Sequence, residues 1–72
     1  MSFAERLRLL RTERQLSQVQ VAAGIGIAWR NYQRLEAQTS LPNYRNLLAL
    51  ADFFQVSLDY LAGRTDRREV NR

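Results

Sequence analysis

Apolar residues recur every three to four positions along most of this chain, with polar residues filling the intervals. That period gathers side chains onto one face of an α-helix. Five helical segments are predicted, and no stretch reads as a credible strand. The first runs from about Phe3 to Arg14, where Phe3, Leu7 and Leu10 recur at i, i+4 and i+7 and mark a buried stripe. Ser2 precedes it and Glu5 follows three residues on, so each side chain can accept the other's backbone N–H in a capping box. Arg6, Arg8, Glu13 and Arg14 fall on other faces and are expected in solvent.

The second helix is short. Ser17 is its expected N-cap and Gln20 completes a second capping box; Val21 and Ala22 face inward. It stops at Gly24-Ile25-Gly26, where Gly26 suits the left-handed conformation that ends a helix. The third helix covers about Ala28 to Gln38, with Tyr32 and Leu35 turned inward. After the loop "QTSLPN", Asn43 caps a fourth helix, Tyr44 to Phe54. Gln55-Val56 is a short break, Ser57 caps a last helix over 58–62, and Gly63 ends it. Phe53 and Phe54 are adjacent, so one is expected in the core and the other over the last helix or against a partner subunit. The natural division is a domain over 1–64 and a polar, flexible tail over 65–72, with Val70 its one apolar residue. An exposed apolar patch near the C-terminal helices is the expected dimer surface.

With 72 residues the chain is one domain at most, and a domain this small buries only about 60% of its unfolded surface. It has no Cys and no His, so disulfides, thiolate metal sites and the commonest general base are all missing. No phosphate-cradling glycine loop is present either, which argues against an enzyme; no catalytic residue, metal or cofactor is assigned. No apolar run approaches the roughly 20 residues of a membrane span, and no signal-peptide core opens the chain, so a cytoplasmic protein is expected. The balance is basic: 11 Lys+Arg against 7 Asp+Glu, net +4. All the basic residues are arginine, whose fork binds phosphate and guanine edges bidentately. Compositional bias would also explain an all-arginine chain; the charge suggests a polyanion partner without establishing one.

Residues 18–37 carry the informative spacing. Ala22 lies four before Gly26, and Tyr32 and Leu35 follow it by six and nine. A small residue at 22 lets two helices cross closely, glycine at 26 permits the turn, and apolar residues at 21, 25, 27, 32 and 35 pin both helices to the domain. This is a helix-turn-helix arrangement. The segments "LSQVQVA…GI…Y.RLE" and "LPNYRNLLALADFFQVSLDYLAGR" resemble the phage repressor/Cro class of DNA-binding domains, the XRE-type helix-turn-helix family, over about residues 3–64. The resemblance implies an all-α, five-helix, lambda repressor-like domain. It also implies binding to double-stranded DNA as a homodimer, with the third helix in the major groove.

Helix wheel reasoning agrees on which residues face out. With Tyr32 and Leu35 inward, Trp29, Arg30, Gln33 and Arg34 lie on or near the surface, flanked by Asn31. Arg pairs with guanine and Asn or Gln with adenine, while a solvated helix face is the plain alternative. Trp29 could pack on thymine methyls or sugar, lie back across the helix, or join a dimer contact. In the resembled family, a glutamine at the place of Gln18 touches phosphate and braces the recognition helix, and Arg11 and Glu36 occupy the places of a structural ion pair. The loop 38–45 would lie near the duplex, offering Asn43, Tyr44 and Arg45 to phosphate. Ala28 departs from the family's usual Ser or Thr and cannot cap. Gly24 is expected to soften the second helix by about 1 kcal/mol relative to Ala.

The expected function is therefore a cytoplasmic, sequence-specific regulator of transcription, binding a two-fold operator and using no small-molecule substrate or membrane. A protein-interaction module on the same scaffold, or an antitoxin or restriction-modification controller, is the alternative.

Overall fold

Four of the five helices begin where the chain carries a capping side chain. Ser2, Ser17, Asn43 and Ser57 accept the backbone N–H of Glu5, Gln20, Asn46 and Tyr60 respectively. The helices they open are α1 (Phe3–Glu13), α2 (Gln18–Ile25), α4 (Tyr44–Phe54) and α5 (Leu58–Leu61). Both capping boxes close, with Ser2 N donating to Glu5 Oε1 at 3.1 Å and Ser17 N to Gln20 Oε1 at 2.7 Å. The exception is α3 (Trp29–Glu36), whose N-cap Ala28 offers no side-chain bond. The computed structural model describes residues 2–39 and 41–69, and among these there is no strand.

The helix ends divide into two kinds. Gly26 (φ 75°) and Gly63 (φ 83°) take left-handed backbone after α2 and α5, as glycine does without strain. Gln15, Gln38 and Gln55 adopt φ of 56°, 62° and 57° near the ends of α1, α3 and α4. A side chain in that region costs roughly 1–2 kcal/mol, so packing must impose these three turns.

Leu7, Leu10, Val21, Tyr32, Leu50, Phe54 and Leu61 fill a single core to which every helix contributes. Burying each large apolar side chain is worth about 1.5–3 kcal/mol. The adjacent phenylalanines resolve differently from the sequence expectation. Phe54 is fully buried, while Phe53 meets it edge-on (ring centroids 5.0 Å apart, 87° between planes) and lies against Gly24 of α2. A Cβ at position 24 would collide with the Phe53 ring, so this glycine is a packing seat.

Two arginines, Arg6 expected in solvent and Arg68 in the tail, bind the chain end to α1 and α5, and a third, Arg14, ties the end of α1 to α4. Arg6 is only 5% exposed. Its guanidinium stands 4.5 Å from the Tyr60 ring centroid and donates to Thr65 O at 2.8 Å and Asp66 Oδ1 at 3.0 Å. Arg68 grips both Glu13 oxygens at 2.8 and 2.9 Å and donates to Tyr60 Oη at 3.1 Å. Arg14 donates to the carbonyl of Phe54 at the end of α4. The segment 64–69 thus runs back over the bundle; Val70 and the two residues after it lie outside the described residues. Among the described residues the strongly exposed large apolar side chains are Val19, Trp29, Leu41 and Tyr44; only Tyr44, at the first turn of α4, is on the C-terminal helices, so they carry no contiguous exposed apolar patch of the kind expected. There, Leu50, Phe54 and Leu61 turn into the core and Tyr60 is covered by arginine.

Candidate nucleic-acid interface

The corner between α2 and α3 is closed by backbone. Gly26 N and Ile27 N donate to the carbonyls of Ala23 and Ala22 at 3.3 and 3.0 Å. Ala22 is buried, which lets α3 approach α2 closely. On α3, Tyr32, Leu35 and Glu36 are buried, while Trp29, Arg30, Asn31 and Arg34 are exposed and Gln33 is half-buried. The helix therefore keeps one side in the core and turns a band of arginine, amide and indole outward.

A polar network fixes that orientation. Glu36 is 2% exposed, and its carboxylate accepts Arg11 Nε at 2.6 Å, Arg11 Nη2 at 3.1 Å and Gln18 Nε2 at 3.2 Å. Arg11 also donates to Leu16 O at 2.9 Å, so one guanidinium ties α1 to the loop before α2 and to the end of α3. Burial pushes the Glu36 carboxyl up, but the Arg11 hydrogen bonds, aided by that from Gln18, outweigh it and hold the group below its ordinary value. Burial, then the neighbouring Glu36 charge, drive the Tyr32 phenol far up, so it stays protonated. Gln18 has its side-chain oxygen turned the other way, accepting Trp29 Nε1 at 3.4 Å. The indole is turned toward Gln18 at the start of α2 and remains 47% exposed.

The outward band borders two hollows. One is an open trough of about 540 Å³ whose lining includes Gln18, Arg30, Gln33, Arg34 and, from α1, Arg8. The other, of about 270 Å³ on the opposite flank, is lined by Asn31, Arg34, Leu41, Pro42 and Asn43 among others. Arg34 borders both. Asn43 spends its side-chain oxygen on capping α4, accepting Asn46 N at 2.8 Å. Tyr44 and Arg45 are exposed on the first turn of α4 but line neither hollow. Arg30 and Arg34 have no acidic partner among the described residues. Arg8 was placed on a solvated face by the wheel; its link to Glu36 spans 28 residues of chain, which local periodicity does not reveal. Among the described residues no group of His, Cys, Asp and Glu is arranged to hold a metal, and no helix is long and apolar enough to cross a membrane.

A family model described as helix-turn-helix matches residues 7–61. An uncharacterized HTH-type transcriptional regulator of Bacillus subtilis, YobD, is 41% identical over 64 residues, covering 89% of this chain and 57% of its own length. The cryptic phage CTXphi transcriptional repressor RstR of Vibrio cholerae is 38% identical over the same 89% of this chain and 57% of its length. The chain thus spans little more than half of these relatives. Among solved structures, the P22 c2 repressor in complex with synthetic operator 9T superposes with a TM-score of 0.85 at 29% identity, covering 90% of this chain and 98% of that one.

Proposed function

The chain belongs to the helix-turn-helix family, and from that premise we propose that it is a non-enzymatic, cytoplasmic regulator of transcription that binds double-stranded DNA sequence-specifically. The domain over 1–64 docks with α3 in the major groove. One observation carries this reading: a helix locked by Tyr32, Leu35 and Glu36 turns unpaired Arg30 and Arg34 outward. Charges left without partners on a rigid helix are suited to a polyanion, and arginine forks to guanine edges. The repressor names carried by relatives, and the P22 c2 repressor solved on an operator, support the same reading.

Trp29, Arg30, Asn31, Gln33 and Arg34 face the bases. Gln18 braces Trp29 and, with Asn43, Tyr44 and Arg45, meets the sugar–phosphate walls. Eight residues of α3 extend about 12 Å, enough for only a few base pairs, so a homodimer on a two-fold operator, half-sites about 34–36 Å apart, supplies the rest of the specificity.

The test is Arg30→Ala, measured against an operator selected from a random duplex pool and against random duplex. A lost bidentate pair worth about 1–3 kcal/mol lowers operator affinity roughly 5- to 150-fold, with a much smaller loss on random DNA. Equal losses on the two would refute base reading by Arg30.

A further inference from the structure

We propose that Arg8, on α1, is a phosphate-binding residue that grips the DNA strand running along the α1–α2 flank of α3. The proposal rests on the DNA-binding reading above and adds to it a contact from outside the helix-turn-helix unit.

The trough places Arg8 with the recognition surface. Arg30, Gln33, Arg34 and Ala37, spaced as one helical stripe, form its α3 wall; Gln18 and Arg8 close the other side. Whatever lies along α3 on this flank therefore meets Arg8 as well. Arg8 stands on α1, apart from the α3 stripe that the proposed function assigns to the bases.

The charge balance of the trough points the same way. Arg8, Arg30 and Arg34 line it with one acid, Glu36. That acid is already matched, since Arg11 takes both of its oxygens and Gln18 adds a third hydrogen bond. Arg8 Nε stands 3.8 Å from Glu36 Oε1, beyond hydrogen-bond distance. Glu36 is thus shared between Arg11 and the more distant Arg8, two cations against one acid, which leaves one positive charge over.

The guanidinium is also aimed. Arg8 Nη2 donates to the backbone carbonyl of Glu36 at 3.3 Å, one of the carbonyls that the end of α3 leaves without a helical partner. This uses one of five N–H donors and leaves the others open, on a side chain 60% exposed. A long side chain ordered across 28 residues of sequence has given up rotamer freedom before any ligand arrives. A phosphate there gains a charge-assisted hydrogen bond to a preset fork.

The experiment uses the whole chain and a fluorescein-labelled 20-base-pair duplex of random sequence, because a phosphate contact carries no sequence preference. Polarisation titrations at several NaCl concentrations give the slope of log K against log salt. Arg8→Gln keeps a donor for the Glu36 carbonyl and loses the charge; its slope becomes shallower by about 0.9, the value of one phosphate contact. Arg8→Lys retains the wild-type slope. In the wild-type protein, the Arg8 Nε–Hε resonance shifts on adding the duplex and returns at high salt, a readout independent of any variant's folding. A wild-type chain that binds while Arg8→Gln keeps its slope, or an Arg8 resonance blind to the duplex, overturns this assignment alone. A wild-type chain that binds no duplex at low salt overturns the DNA-binding reading and this one together.

Discussion

Arg11→Ala tests how α3 is held in place. The substitution removes both Arg11 bonds to the Glu36 carboxylate and the bond to Leu16 O. Glu36, 2% exposed, is left with Gln18 and a mostly solvated Arg8 at 3.8 Å. Stranding one partner of a buried pair costs about 3–5 kcal/mol. A chain of 72 residues has only about 4–11 kcal/mol of stability in total, so the variant sits near its unfolding threshold. The pH dependence has a definite sign. In the wild type the carboxyl is held low, which adds stability above its ordinary value of 4.5 and loses it as pH falls through the lower folded value. In the variant burial remains and Arg11 does not, so the carboxyl rises and protonation relieves the strain as pH falls. The gap between the two proteins therefore narrows from neutral pH to about pH 4. Urea unfolding followed by circular dichroism at three pH values measures it, with Arg11→Met/Glu36→Met as the reference that removes both charges and recovers most of the loss. A loss under about 1 kcal/mol at neutral pH, a gap that widens on acidification, or a double variant no better than the single would refute the reasoning.

Two further substitutions bear on the α2–α3 unit. Ala28→Ser gives α3 the side-chain cap it lacks and should raise stability by about 0.5–2 kcal/mol; an unchanged urea midpoint would count against a vacant cap. Gly24→Ala gains about 1 kcal/mol of helix propensity but drives a Cβ into the Phe53 ring, an overpacking worth about 1–3 kcal/mol. The net result should be neutral to destabilising, and Gly24→Ala/Phe53→Leu should be more stable than Gly24→Ala alone. A Gly24→Ala protein that melts clearly above wild type would show the ring moves away freely.

How much of the candidate site was legible varies with the reach of each interaction. The outward set on α3 followed from Tyr32 and Leu35, because a helix only eight residues long in a small domain has one buried side. The back-turned indole of Trp29 did not follow, since its hydrogen bond goes to Gln18 on another helix. Arg8 was missed for the same reason. Gly24 was read as a propensity cost because a wheel shows a helix its own neighbours, and the Phe53 ring arrives from α4.

Local order was written in the chain itself: Ser2, Ser17, Asn43 and Ser57 bond N–H groups three residues away, Gly26 adopts a backbone only glycine takes cheaply, and the apolar period marks each buried stripe. Those forces act within a turn of helix, so a linear reading captures them. Tertiary structure alone decided the left-handed turns at Gln15, Gln38 and Gln55, the burial of Arg6 against Tyr60, and the return of residues 64–69 to α1. An arginine's place depends on which rings, carboxylates and carbonyls the folded chain brings within about 4 Å, where desolvation and pairing settle the balance.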